Sequence, residues 1–189
     1  MIEPDLLLNA YAQGIFPMGM PGGEIGWFSP DPRGIIPLDG FHIPHGLARR
    51  LRRNPFEIRI NTAFREVMQA CAEREETWIS EAIIRSYEEL FKMGFAHCVE
   101  AWREDRLVGG LYGVALGGAF FGESMFHRET DASKVALEAL VRRLRERGFT
   151  LLDIQWTTPH LATFGAKEIP RRQYLRQLRK ALELECDFA

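Results

Sequence analysis

GGLYGVALGGAFFGESMFHR at residues 109 to 128, followed one helix length later by LLDIQW at 151 to 156, decides how this chain folds. The first segment is too apolar for a surface and too rich in glycine for ordinary core. Gly109, Gly110, Gly113, Gly117, Gly118 and Gly122 suit bends and close approach, while Phe120, Phe121, Met125 and Phe126 supply apolar wall. Glu123 and Ser124 interrupt that wall. In the second segment Asp153 and Gln155 stand two residues apart, so a strand sets both on one face with Leu152 and Ile154 on the other. Apolar walls with a few convergent polar groups are the usual form of a small-ligand pocket.

Outward from these segments, the pattern predicts strands over 97–103, 106–116 and 118–125, with Glu104 and Asp105 as a hairpin turn. A helix over 132–147 follows, with Leu137, Leu140, Val141 and Leu144 as its buried stripe and Gly148 as its stop. The strand TLLDIQW and an Arg-rich helix near 170–183 complete the chain. Upstream, Phe56, Ile58 and Ile60 alternate as in a strand, and Asn61 is placed to cap a helix carrying Phe64, Val67, Met68 and Cys71. Ser80 begins a second helix that buries Ile83, Tyr87 and Leu90 and ends at Gly94. A short helix is expected over 4–13. From Ile15 to His45, clustered prolines and glycines predict a long irregular excursion. Two helices, an antiparallel meander, a helix, a strand and a helix make an α+β protein.

Composition narrows the function. With 189 residues, 46% of them hydrophobic, the chain can bury a real core, which excludes disordered and fibrous classes. A formal net charge of -2 confines any nucleic-acid contact to local patches. Cys71, Cys98 and Cys186 are odd in number and far apart, which predicts reduced thiols in a cytosolic protein. MIEPDLLLNA has no basic start before an apolar run, so neither a signal peptide nor a membrane span is expected.

Several residues carry two readings. Asp153 and Gln155 are either a polar strand end facing water or a carboxylate that orients an amide. Glu123 is either half of a salt bridge or a site carboxylate, since burying it unpaired would be costly. Arg49, Arg50, Arg52 and Arg53 surround Leu47 and Leu51 in HGLARRLRRN, as a solvated helix face or as phosphate contacts. Trp27 and Trp78 are either plain core or platforms for a base. His42 and His45 lack a third metal ligand at a recognisable spacing, so no metal site is expected. HRETDAS, before the helix at 132, lacks the glycines that a coenzyme pyrophosphate loop would want.

GIFPM, WFSPDPRGIIPLDGFHI, TWIS, EAWREDRLVGGLYGVALGGAFFGESMFHR, ASKVAL, LLDIQ and HLATFGAKEIPRR occur in that order. Through these runs the chain resembles the leucyl/phenylalanyl-tRNA protein transferase family over nearly its whole length. The resemblance implies an acetyltransferase-like (GNAT-like) domain over 61–189 behind a small N-terminal domain over 1–60. It also implies transfer of Leu, Phe or Met from Leu-tRNA, Phe-tRNA or Met-tRNA to proteins with an N-terminal Arg or Lys, which marks them for degradation. Its apolar pocket falls on Leu111, Phe120, Gly122, Met125, Leu137, Leu140 and Leu152, and its contacts to the terminal adenosine on Trp27 and Trp78. Its polar site falls on Glu123, Asp153 and Gln155, and its tRNA-binding cluster on Arg49, Arg50, Arg52 and Arg53. A cytoplasmic monomer with no membrane contact is expected.

The ester of an aminoacyl-tRNA is already activated, so attack by a free amine needs no ATP, metal or cofactor. What the protein must supply is positioning and electrostatic stabilisation. In this reading Asp153 orients Gln155, the Gln155 carbonyl accepts from the attacking amine, and Glu123 holds an ammonium or guanidinium. The rivals are a coenzyme-A-dependent N-acyltransferase and a binding module that transfers nothing.

Overall fold

Phe120 and Phe121 point to opposite faces of their strand, and two cores form, one on each side of the sheet. The computed structural model describes residues 1–53 and 56–189. Helices α1 (Pro4–Ala12), α2 (His45–Arg53), α3 (Phe64–Ala72), α4 (Glu81–Lys92), α5 (Ala132–Glu146), α6 (Pro159–Ala162) and α7 (Arg171–Leu182) surround two sheets. Strands β1 (Phe16–Gly19) and β2 (Ile25–Phe28) form a separate hairpin. The main sheet runs in the order β4 (Glu57–Ile60), β5 (Ala96–Arg103), β6 (Arg106–Leu116), β7 (Ala119–His127), β8 (Leu151–Gln155), β3 (Arg33–Ile35), β9 (Lys167–Ile169).

The meander forms as its sequence predicts. Glu104 and Asp105 both take left-handed φ, 48° and 59°, which lets a two-residue turn match the twist of β5 and β6. β7 and β8 are parallel, a pairing that requires a crossover, and α5 supplies it. Its stripe of Leu137, Leu140, Val141 and Leu144 packs on one face with Phe120 and Leu152. The other face takes α1, α3, α4 and α7 through Leu7, Tyr11, Val67, Ile83, Tyr87 and Tyr174. The mixed α+β class follows directly.

Two expectations are corrected. The segment from Ile15 to His45 is not irregular throughout, because it contributes three short strands. Pro17 sits in β1 of a two-stranded ribbon, where every strand is an edge and a missing donor is tolerated. β3 inserts into the main sheet between β8 and β9, which brings Arg33 under the site. Asn61 does not cap α3. It adopts φ 60° and bonds instead to β5, its amide accepting from Cys98 N at 3.0 Å and meeting His97 Nδ1 at 2.9 Å. The buried Glu100 carboxylate satisfies that helix start, accepting from Thr62 N at 2.7 Å and Ala63 N at 2.9 Å. Ser80 does cap α4, accepting from Ile83 N at 3.3 Å.

Candidate active site

β7 and β8 pair only from Ala119–Leu151 to Phe121–Asp153 and then part. Beyond Phe121 the β6–β7 register skips a residue: Gly113 pairs with Gly122 and Tyr112 with Ser124, leaving Glu123 as the extra residue of a bulge. A bulge re-aims its side chain, and here Glu123 stands at the mouth of the gap between the two strands. A cavity of about 100 Å³ fills that gap, walled by Leu111, Gly122, Met125, Leu137, Leu140 and Leu152. It shares Glu123, Ser124 and Gln155 with a larger cleft of about 440 Å³, which is bounded further out by Phe16, Arg74, Trp78, Trp156 and His160.

Beneath the gap lies a buried ion pair. Arg33 Nε donates to Asp153 Oδ1 at 2.9 Å and Nη2 to Oδ2 at 2.6 Å, with both side chains fully buried. Tyr174 Oη adds a bond to Oδ2 at 2.8 Å, and the Gln155 backbone N donates to Oδ1 at 2.9 Å. Arg33 Nη1 reaches the Gly14 carbonyl at 2.8 Å, tying the end of α1 to the sheet. Asp153 is therefore no water-facing strand end. The sequence expectation that its carboxylate orients the Gln155 amide also needs correction, because Asp153 bonds the Gln155 backbone. That bond accompanies a left-handed Gln155, φ 59°, which breaks the strand and turns the side chain toward Glu123.

Glu123 takes part in no ion pair among the described residues. Tyr11 Oη donates to Oε1 at 2.6 Å, Tyr87 Oη to Oε2 at 3.4 Å, and Gln155 Nε2 to Oε1 at 3.4 Å. Tyr11 and Tyr87 also share a short hydroxyl contact. Desolvation is the main force on this carboxyl; it outweighs the Tyr11 bond and pushes the pKa up to about 8. Burial, with Glu123 second, raises both phenols well above their ordinary range, so each serves as a donor. Gln155 turns its amide nitrogen to Glu123 and leaves its carbonyl for another donor.

The structure gathers most of the residues expected at the site. Leu111, Gly122, Met125, Leu137, Leu140 and Leu152 line the small cavity, and Glu123 and Gln155 guard its mouth. Phe120 does not line it; its ring packs against Phe188 at 5.1 Å in the core. Trp78 lines the larger cleft, but Trp27 is 41% exposed on the β1–β2 hairpin and borders neither cavity. Arg49, Arg52 and Arg53 are exposed on α2, whereas Arg50 Nη2 donates to the Thr130 carbonyl at 3.1 Å. Asn54, part of the same basic run, lies outside the described residues. Arg33 falls in the proline-rich segment that the sequence marks for contact, whereas sequence reading missed Tyr11, Tyr87, Tyr174, Arg74, Trp156 and His160, which come from five separate stretches of chain. Among the described residues no group of three or more His, Cys, Asp or Glu side chains converges as metal ligands would. No helix there is long and apolar enough to cross a membrane.

Comparison with known proteins gives this geometry a setting. A family profile described as leucyl/phenylalanyl-tRNA protein transferase matches residues 35–179, and one for the N-terminal domain of the same proteins matches residues 1–31. The chain is 59% identical to a leucyl/phenylalanyl-tRNA–protein transferase of Akkermansia muciniphila, over 96% of this chain and 97% of that one. A protein of the same name from Herpetosiphon aurantiacus is also 59% identical, over 99% and 98%. Solved structures that the chain matches include the C-terminal domain of a lysylphosphatidylglycerol synthetase, described as putative, from Agrobacterium fabrum, at 12% identity, 98% and 64% coverage and TM-score 0.46. A ribosomal-protein-alanine N-acetyltransferase from Brucella melitensis matches at 15% identity, 57% and 84% coverage and TM-score 0.42.

Proposed function

Because the chain belongs to the leucyl/phenylalanyl-tRNA protein transferase family, whose members are aminoacyltransferases that use aminoacyl-tRNA, we propose that its cleft transfers Leu, Phe or Met to proteins beginning with Arg or Lys. The product would be marked for degradation. The chain would work in the cytoplasm as a monomer without ATP, metal or coenzyme.

One observation carries this reading: Glu123 and Gln155 stand together where an apolar pocket opens into a wider aromatic-lined cleft. The pocket suits an uncharged apolar side chain, and the cleft suits the nucleoside that bears it. The ester then lies at the mouth, between the two polar groups. The incoming amine donates to the Gln155 carbonyl as it attacks the ester carbon. The C–N bond forms, the C–O bond to the ribose breaks, and a proton passes from nitrogen to the departing oxygen. Glu123 receives the positive charge of the acceptor by charge-assisted hydrogen bonds. Asp153 acts at one remove, through the backbone of Gln155.

The test mixes purified protein with Phe-tRNA carrying labelled Phe and two peptides, one starting with Arg and one with Ala, without ATP or coenzyme. Label on the Arg peptide alone is expected. Label on both removes the acceptor rule, and label on neither removes the transferase reading.

A further inference from the structure

Among the described residues Arg74 is the one lysine or arginine on the wall of the cleft of about 440 Å³. It is anchored without being neutralised. Its Nη2 donates to Ser124 Oγ at 3.3 Å and to the Met125 carbonyl at 2.5 Å, both uncharged acceptors. The rest of its fork makes no hydrogen bond among the described residues. Its neighbour Glu73 is occupied with Arg128 at 2.9 Å, and Glu75 and Glu76 are exposed and form no ion pair with it.

Among the described residues the only carboxyl lining that cleft is Glu123, which burial keeps largely protonated at neutral pH, so the cleft is net positive when empty. That sign does not suit the aminoacyl group, which is neutral or cationic at its amine, and the basic acceptor is met by Glu123 rather than by Arg74. The nearest anion in an aminoacylated nucleotide is the phosphate on the 5′ side of the terminal nucleoside. Trp78 lines the same cleft and offers a π-face for the base. A guanidinium fixed at one nitrogen, with the remaining donors free, is matched to a phosphate.

We propose that Arg74 clamps the 5′-phosphate of the terminal nucleotide of the aminoacyl-tRNA, so that the cleft selects an aminoacyl nucleotide over an aminoacyl nucleoside. This rests on the aminoacyl-tRNA reading of the cleft. The clamp fixes the ribose at one end while the apolar pocket fixes the amino acid at the other, and the ester between them is held at Gln155.

The experiment uses two probes that do not transfer: 3′-phenylalanylamido-adenosine, and the same molecule with a 5′-phosphate. Dissociation constants are measured for the wild-type protein, Arg74→Ala and Arg74→Lys, with thermal melts to verify the fold of each variant. The phosphate should tighten wild-type binding by about tenfold, a gain that shrinks with added salt. Arg74→Ala should bind the two probes equally, and Arg74→Lys should keep part of the gain. Equal binding of both probes to the wild-type protein overturns the clamp, as does a phosphate gain that survives in Arg74→Ala. If the wild-type protein binds neither probe, the aminoacyl-tRNA reading itself fails.

Discussion

Arg33 and Asp153 meet through two hydrogen bonds, at 2.9 and 2.6 Å, with neither side chain exposed. The pair joins β3, from the proline-rich segment, to β8, and it sits directly behind Gln155. Removing one partner strands a buried charge, so Arg33→Ala should cost about 3 to 5 kcal/mol in chemical denaturation. Lysine lacks the two-point fork, and Arg33→Lys should recover only part of that loss. Joint replacement, Arg33→Met with Asp153→Leu, should restore much of the stability yet leave turnover low, because the Gln155 N–H then has no acceptor. Turnover recovering together with stability would show that the pair only supports the fold.

Glu123 makes stability depend on pH in the direction opposite to a salt-bridged carboxylate. Its pKa rises from the ordinary 4.5 to about 8, so the folded state binds a proton that the unfolded chain has released over that interval. The contribution is complete below about 4.5 and is lost as pH climbs through about 8. Melting temperatures of the wild-type protein should therefore fall relative to Glu123→Gln between about pH 5 and pH 9. Parallel curves for the two proteins would mean that Glu123 is ionised in the fold. A cationic peptide entering the site should lower this pKa and release a proton, which appears in calorimetry as a heat that varies with the buffer.

Much of the site is legible in sequence because its apolar wall is local. Leu137 and Leu140 share a helix face that periodicity marks as buried, and Leu111, Gly122 and Met125 belong to one hairpin, where the family resemblance assigns them to the pocket. The polar groups behind that wall are not local. Arg33, Tyr11, Tyr87 and Tyr174 are brought to Asp153 and Glu123 by tertiary packing, and a lone Tyr on an apolar helix face carries no signal of its partner. The Glu123 bulge depends on register with β6, which no single strand encodes. Asn61 teaches the same point from the other side: its position favoured a helix cap, but Glu100, nearly forty residues later, takes that role.

The basic face of α2 is testable through salt. Arg49, Arg52 and Arg53 are exposed, while Arg50 is held to the Thr130 carbonyl and lies 3.8 Å from Asp131. Each arginine that meets a phosphate contributes roughly 0.7 to 0.9 to the slope of log affinity against log salt. Single alanine variants at Arg49, Arg52 and Arg53 should each flatten the slope for tRNA by about that amount, and Arg50→Ala by less. An unchanged slope in the triple variant would place the phosphate contacts elsewhere on the protein.

Gly122 offers a way to change selectivity without disturbing the fold. A methyl built there would lie 3.5 Å from the Asp153 carbonyl and 4.0 Å from Leu152 Cδ1, ordinary contacts that demand no backbone shift. The same methyl intrudes on a cavity of only about 100 Å³, so its cost falls on whatever enters. A planar ring needs the full depth of the gap, whereas a branched four-carbon chain can withdraw from the new wall. One methylene of steric difference in an apolar pocket is worth about 1 to 3 kcal/mol. Gly122→Ala should therefore melt close to the wild-type temperature while kcat/KM for Phe-tRNA falls at least about tenfold relative to Leu-tRNA. A Phe-to-Leu ratio unchanged in a stably folded variant would mean that the amino-acid side chain does not occupy the space between β7 and β8.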